Sequence, residues 1–193
     1  MTLKKLLISI AALALTFNLQ LAQAANPKVK LETSKGTMII ELYPDKAPKT
    51  VENFLAYVNA GAYDGTIFHR VIKDFMNQGG GFTPDFKKVD TRDPIQNEAD
   101  NGLKNLKYAV AMARTGEPHS ATNQFFINTA DNAFLDHSGK SMRGWGYTVF
   151  GKIIEGQNIA GAISRVPTGP GGPFSKDVPR TQITITKMTE IKE

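Results

Sequence analysis

The chain is divided into short segments in which apolar and polar residues alternate, with turns rich in glycine and proline between them. Alternation with a period of two is typical of β-strands that bury one face. Residues 28–33 and 38–42 are two such segments, and the turn that joins them contains Gly36. Because glycine accommodates the positive φ that tight turns often need, the two segments are predicted to form an antiparallel hairpin.

The same pattern continues along the chain and is interrupted by two helical segments. A helix is predicted from Pro48 because apolar residues recur at helical spacing over residues 51–58, and a second, short helix is predicted at 157–165. Residues 168–173 contain several glycines and prolines and predict a loop. Further strands are predicted at residues 67–72, from 75 onward, and at 108–113, 124–128, 149–155 and 181–188. Short strands without regular strand–helix alternation predict a closed or nearly closed antiparallel β-barrel.

The first 24 residues have a different character from the rest. Lys4 and Lys5 precede an apolar run at residues 6–17, and the segment ends in Ala-Gln-Ala. This pattern predicts a secretory signal peptide that is cleaved after Ala24. A membrane anchor and an N-terminal core helix are the alternatives, but the apolar run is shorter than the roughly 20 residues that span a bilayer. Residues 25–193 are then expected to form a single domain without a membrane span.

Composition and spacing exclude several classes of chemistry. The chain has 0 cysteines, so disulfides and thiol catalysis are excluded. The histidines, His69, His119 and His137, are too scattered for a zinc motif, and no phosphate-binding loop, dinucleotide fingerprint or serine elbow occurs. No metal or cofactor is therefore expected. The net charge is +5, but the lysines and arginines do not form a long basic run, so nucleic acid is not an expected partner.

The stretch 67–81 combines a permanent cation with amide and apolar side chains. Alternation is expected to place Phe68, Arg70 and Ile72 on one face of a strand and His69 and Val71 on the other. After the polar turn at 73–74, the residues that return beside this face are Phe75, Met76 and Gln78. Arginine stays protonated, so such a site could bind a ligand or supply a hydrogen bond, but could not act as a base. The alternative is a half-buried hairpin whose arginine extends to water.

Residues 68–80 resemble the signature of the cyclophilin-type peptidyl-prolyl isomerases. The similarity continues in order through residues 97–99, 111–114, 124–127, 134–136 and 149–152. The resemblance implies a closed eight-stranded antiparallel β-barrel capped by two α-helices, without a cofactor. It implies a monomer that catalyses cis–trans rotation at X–Pro bonds of unfolded or exported polypeptides. With the signal peptide, the chain is similar to the exported bacterial branch, which implies a periplasmic location.

The resemblance also implies a role for individual residues. The family's catalytic arginine corresponds to Arg70. The other positions that it assigns to substrate binding are His69, Phe75, Met76, Gln78, Ala113, Arg114, Gln124, Phe126, Phe134, Leu135 and Tyr147. Among these, Phe75, Met76, Phe126 and Leu135 correspond to the proline pocket. The two glutamines and the backbone around Ala113 correspond to groups that hold the substrate peptide. For His69, a solvated strand histidine is an equal alternative.

Two aromatic positions depart from the best-known animal members of the family. Phe134 replaces a tryptophan and Tyr147 replaces a histidine, so both positions keep an aromatic wall. The missing indole N–H predicts weak binding of cyclosporin, the family's cyclic peptide inhibitor. The turn at residues 138–145 is longer than in many relatives, and the resemblance assigns no role to Trp145.

Two other functions remain open on the sequence alone. The first is a non-catalytic module that clasps proline-containing segments or acts as a chaperone on the same fold. The second is a hollow, secreted ligand-carrying barrel, although the position of the mature chain's tryptophan, Trp145, in a late loop is unlike a common form of that class. Measuring proline isomerisation with and without Arg70 would separate the enzyme from the module.

Overall fold

The computed structural model describes residues 25–192, and the predicted signal peptide at residues 1–24 lies outside this range. The strands are β1 Lys28–Thr33, β2 Gly36–Leu42, β3 Arg70–Ile72, β4 Met76–Gly79, β5 Ala109–Met112, β6 Phe125–Asn128, β7 Val149–Glu155, β8 Thr168–Gly171, β9 Phe174–Pro179 and β10 Ile185–Ile191. The helices are α1 Pro48–Asn59 and α2 Gln157–Ile163. Among the described residues, none of the helices has the length and apolar character needed to cross a membrane.

Eight strands form one antiparallel sheet in the order β10-β1-β2-β7-β5-β6-β4-β3, and β8 and β9 form a separate hairpin. The mainly β architecture with two helices confirms that part of the prediction. The prediction of a closed barrel is wrong, because the sheet is a curled half-barrel. Residues 168–173, predicted as a loop, contribute β8 and the turn that follows it.

Backbone hydrogen bonds link the segment before β3 to the segment before β10 over a short stretch only. The N–H of Phe68 donates to the carbonyl of Ile183 at 2.9 Å, and an isolated bridge pairs Ile67 with Thr184. Among the described residues this contact does not continue as a ladder between β3 and β10. The regular strand begins only at Arg70, so the strand predicted at residues 67–72 is shortened to Arg70–Ile72.

A single large core fills the concave side of the half-barrel. On α1, Val51, Phe54 and Val58 are buried as their spacing predicts. The ring of Phe54 lies 5.7 Å from that of Phe125 and 4.9 Å from that of Phe150. Burial of each such side chain stabilises the fold by about 1.5–3 kcal/mol. The filled interior contradicts the hollow ligand-carrying barrel.

The start of α1 is fixed by a residue from a distant loop. Glu98 accepts hydrogen bonds from the backbone N–H groups of Lys49 at 3.2 Å and Thr50 at 2.9 Å. These N–H groups have no partner within the helix, and a carboxylate there also complements the helix dipole. Pro48, which lacks an N–H, occupies the first turn as predicted. The loop before the 3₁₀ turn Ala99–Asn101 is thereby attached to α1.

Phe68 corrects one detail of the predicted hairpin. Its side chain is buried in the main core, with its ring 6.2 Å from that of Phe125, and does not share a face with Arg70. Strict alternation was expected from residue 67, but the regular strand begins only at Arg70. Val71 lies in the same core, opposite Arg70, as alternation predicts.

Candidate active site

The β3–β4 hairpin places Arg70 directly opposite Gln78. The two residues are paired in the antiparallel register, and the Nη1 group of Arg70 donates to Oε1 of Gln78 at 3.4 Å. The connecting turn contains Asp74 at φ 55°, a left-handed conformation that aspartate tolerates better than most residues. Local turn chemistry and register thus bring the cation and the amide together, as the sequence predicts.

The amide of Gln78 continues to a second glutamine. Its Nε2 group donates to Oε1 of Gln124 at 2.9 Å, just before β6 begins. Gly81 makes room for this contact, because a Cβ atom at that position would lie 2.5 Å from Cγ of Gln124. Arg70, Gln78 and Gln124 therefore form a row of polar side chains along one side of the site. A groove of about 120 Å³ adjoins them, and its lining residues are Gln78, Ala113, Arg114, Thr115, Ser120, Thr122 and Gln124.

A small apolar cluster, separate from the main core, lies beside this row. Its buried members include Met76, Phe126 and Leu135, and Phe75 and Tyr147 pack against it. Met76 and Gln78 both lie on β4, two residues apart, so the strand presents them on the same face. The structure thus brings together the residues that the resemblance assigns to a proline pocket.

One wall of the pocket is held by asparagine side chains. Asn132 donates through Nδ2 to the carbonyl of Phe75 at 2.9 Å and to Oδ1 of Asn128 at 2.7 Å. These bonds attach the 3₁₀ turn Ala133–Leu135 to the β3–β4 hairpin. Phe134 in that turn is 74% exposed, and its ring lies 5.6 Å from that of Phe75. Phe134 therefore forms a solvent-facing rim rather than part of the pocket floor.

Arg114 and Tyr147 border the pocket on another side. The guanidinium of Arg114 lies 4.7 Å from the centre of the Tyr147 ring, and its Nε donates to the carbonyl of Gly146 at 2.9 Å. The Tyr147 ring meets that of Phe126 edge-on at 5.7 Å. The N–H of Ala113 donates to the carbonyl of Gln124 at 2.9 Å. A substrate hydrogen bond at Ala113 would consequently use its carbonyl group.

His69 lies behind Arg70, among aromatic rings. It is 2% exposed, with its ring centre 4.7 Å from that of Phe82 and 5.5 Å from that of Phe174. Burial, with a smaller contribution from Arg70, lowers the pKa of His69 to about 4, although hydrogen bonds to Ile67 and Gln124 partly offset this. The ring is therefore neutral at pH 7, and the alternative of a solvated strand histidine is wrong.

The structure also explains Trp145, to which the sequence pattern assigns no role. Its side chain is 9% exposed, and its ring centre lies 4.8 Å from that of His119 and 5.3 Å from that of His137. Nδ1 of His137 forms a hydrogen bond with the carbonyl of Trp145 at 3.0 Å. Trp145 thus attaches the turn at residues 138–145 to His119 and His137, next to Tyr147. The available signal was a tryptophan in a turn whose only other large apolar residue is Met142.

One acidic residue beside Arg70 was missed by the sequence reasoning. Oδ2 of Asp177, on β9, lies 3.9 Å from Nε of Arg70. The two residues are far apart in the sequence, and no local pattern connects them. A larger cleft, of about 660 Å³, lies between α1 and residues 91–96, but Arg70 and the pocket residues do not line it. Within residues 25–192, no three histidine, aspartate or glutamate side chains are grouped so that they could hold a metal ion.

Comparisons with known proteins agree with this geometry. The family model for the cyclophilin type peptidyl-prolyl cis-trans isomerases matches residues 28–190. A peptidyl-prolyl cis-trans isomerase of Streptomyces antibioticus is 61% identical over 157 residues, which cover 81% of this chain and 94% of the relative. Peptidyl-prolyl cis-trans isomerase B of Escherichia coli is 51% identical, with 83% of this chain and 98% of the relative covered.

A solved structure shares the fold. The cyclophilin type peptidyl-prolyl cis-trans isomerase of Cryptosporidium parvum matches with a TM-score of 0.68 and 25% identity, over 87% of this chain and 99% of that protein. The same protein was also solved in the presence of the dipeptide Ala-Pro, and that structure matches with a TM-score of 0.67. The match of family model, relatives and fold covers nearly all of the described residues. The chain therefore belongs to the cyclophilin-type peptidyl-prolyl cis-trans isomerases.

Proposed function

We propose that Arg70 accelerates rotation about X–Pro bonds by donating a hydrogen bond to the imide nitrogen of the twisted peptide. The observation that supports this most directly is the position of Arg70. Its guanidinium is oriented by Gln78 beside the apolar pocket of Met76, Phe126 and Leu135. The pocket is apolar, as the pyrrolidine ring of proline is, and Arg70 is a permanent cation beside it. The site therefore combines a hydrogen-bond donor with a binding site for proline.

The physical chemistry of the amide bond explains why one donor suffices. Resonance between nitrogen and carbonyl produces a rotational barrier of roughly 18–20 kcal/mol. In the twisted state, the lone pair is localised on nitrogen and accepts a hydrogen bond that the planar ground states do not accept. Arg70 therefore binds the transition state more tightly than either isomer, which is the condition for catalysis. A well-placed donor in a dry site contributes about 3–4 kcal/mol, or a hundred- to a thousandfold in rate.

The surrounding residues hold the substrate while one side of the bond turns. The proline ring is proposed to bind against Phe126 and Met76, with Phe75 and Leu135 at the margins. Gln124 and the carbonyl of Ala113 are proposed to hold the preceding residues of the peptide. The Ala-Pro dipeptide present with the Cryptosporidium parvum protein supports a proline-containing peptide as the ligand.

His69 is not proposed as an acid or base. Its low pKa keeps it neutral near pH 7, and its ring packs against Phe82 and Phe174. The proposed mechanism also transfers no proton, because bond rotation needs none. His69 is instead proposed to support the segment that carries Arg70.

The clients are proposed to be exported polypeptides, with this enzyme assisting their folding in the periplasm. The basic start, apolar run and Ala-Gln-Ala ending of residues 1–24 support this location. Slow X–Pro isomerisation limits the folding of many chains, so a catalyst there would be useful. Cell fractionation and N-terminal sequencing test the proposal, with a mature N-terminus at Ala25 expected. A full-length protein retained in the cytoplasm would contradict it.

A comparison of binding with exchange tests the role of Arg70. Arg70→Ala should bind a short proline peptide with an affinity close to that of the wild type, because the apolar pocket is intact. The same variant should lose most cis–trans exchange on that peptide. If binding and exchange are instead lost in proportion, Arg70 binds the ground state and the transition state equally well. That result would refute the proposed mechanism.

A further inference from the structure

We propose that Asp177 is a positioning residue for Arg70, delivered to the site by the β8–β9 hairpin. This inference rests on the proposed role of Arg70 as the donor. Oδ2 of Asp177 lies 3.9 Å from Nε of Arg70, and the two side chains are 20% and 42% exposed. At this distance the contact is an ion pair rather than a direct hydrogen bond. Its effect is therefore expected on orientation rather than on folding stability.

The backbone of the hairpin is shaped to aim this side chain. Gly169 pairs with Val178 and Gly171 pairs with Phe174, so residues 175–177 of β9 lie opposite Pro170 alone. This is a β-bulge, a feature that redirects side chains and is common beside active sites. Asp177 within the bulge has φ 66°, a left-handed conformation that aspartate, like Asp74, tolerates better than most residues. The bulge and this conformation together set the direction in which the side chain of Asp177 leaves the strand.

Aromatic contacts hold the β8–β9 hairpin against the residues beside Arg70, with the half-buried ring of Phe174 on the buried rings of His69 and Phe82. The ring of Phe174 lies 5.5 Å from that of His69 and 5.2 Å from that of Phe82. His69 immediately precedes Arg70, so the same aromatic contact locates both the hairpin and the start of β3. The contact between Asp177 and Arg70 is therefore supported by side-chain packing of the β8–β9 hairpin on the segment that carries Arg70.

Two anchors then act on different nitrogens of one guanidinium. Gln78 accepts from Nη1 at 3.4 Å, and Asp177 faces Nε at 3.9 Å. One hydrogen bond and one ion pair on different nitrogens both favour the same plane of the guanidinium, and this plane sets the direction of its remaining N–H groups. The imide nitrogen accepts a hydrogen bond only in the twisted state, so loss of one anchor should lower kcat and leave KM nearly unchanged.

The test compares Asp177→Asn with Asp85→Asn. Asparagine also tolerates the left-handed conformation, so the first variant removes the charge without breaking the bulge. Asp85 is exposed, pairs with Lys87 and serves as the matched control. Asp177→Asn is expected to reduce kcat about tenfold with KM within about twofold, because small misplacements of a catalytic group are costly. The control should match the wild type, and all three proteins should unfold at similar temperatures.

A double variant separates this inference from the proposed function. In an Arg70→Ala background, Asp177→Asn should cause no further loss, because the residue acts through Arg70. Wild-type kcat in Asp177→Asn, or an equal loss in both backgrounds, would overturn the inference. If Arg70→Ala itself kept wild-type exchange, the proposed role of Arg70 would be refuted whatever the result for Asp177→Asn. A slow Arg70→Ala with a fully active Asp177→Asn would refute only the role of Asp177.

Discussion

Arg70 and Gln78 occupy opposed positions in the β3–β4 ladder, with Nη1 of Arg70 3.4 Å from Oε1 of Gln78. The amide thus orients the proposed donor from the neighbouring strand. Gln78→Ala is expected to lower kcat/KM about tenfold, because a hydrogen bond to a charged group is lost and the guanidinium is freed. Steady-state exchange kinetics measure this, with the exposed Gln96→Ala as a control. Unchanged kinetics in Gln78→Ala would show that Arg70 does not depend on this bond.

Gly81 keeps Gln124 in place beside Gln78. An added Cβ would lie 2.5 Å from Cγ of Gln124, whereas the backbone of Gly81 is not in the left-handed region. Gly81→Ala should therefore fold and push Gln124 away from the groove, which raises KM severalfold for a proline peptide. At Gly139 an added Cβ meets nothing within 4 Å, so Gly139→Ala is the matched control. Equal KM values for the two variants would contradict a substrate-holding role for Gln124.

The β3–β4 hairpin and helix α1 were predictable because their patterns of apolar and polar residues are local. Period-two alternation placed Arg70 opposite Gln78, and helical spacing identified the buried face of α1. The burial of Phe68 in the main core was not predictable, because the regular strand begins only at Arg70 and Phe68 is held by long-range contacts, such as the bond from its N–H to the carbonyl of Ile183.

The contact between Asp177 and Arg70 depends on long-range packing in the same way. It requires the β8–β9 hairpin to fold against the aromatic rings of Phe82 and His69 through Phe174. The spacing of residues along the chain does not predict that the β8–β9 hairpin packs at this place. The sequence therefore predicted which residues lie together around Arg70, but not the contact of Arg70 with Asp177.

The buried histidine gives the fold a specific dependence on pH. The pKa of His69 is about 4 in the folded state, below the ordinary value of 6.5, because burial disfavours the charged ring. The unfolded chain therefore binds the proton first, and the stability from this residue is present above pH 6.5 and lost as the pH falls toward 4. The loss is at most about 3 kcal/mol.

Urea unfolding of wild type and His69→Phe between pH 4 and 8 isolates this contribution. The difference in unfolding free energy between the two proteins should shift in favour of the variant as the pH falls below 6.5. A difference that stays constant over this range would show that His69 does not titrate as described.

Phe134 is expected to limit binding of cyclosporin. Its side chain is 74% exposed at the rim of the pocket, so it faces a ligand but provides no N–H donor. Phe134→Trp should tighten cyclosporin binding about tenfold, in keeping with one added hydrogen bond, and leave peptide exchange nearly unchanged. Calorimetric titration of both proteins gives the comparison. Nanomolar binding to the wild type would contradict the expectation.

The role of Arg70 as the donor is tested most directly by the rate of cis–trans exchange of a short proline peptide with Arg70→Ala, with Arg70→Lys measured alongside. We expect kcat/KM of Arg70→Ala to fall a hundred- to a thousandfold, as for loss of one transition-state donor. Arg70→Lys should also be slow, because it lacks the planar fork that Gln78 orients. Both should unfold like the wild type, since Arg70 is only half-buried. Near wild-type exchange by a folded Arg70→Ala would show that Arg70 is not the catalytic donor.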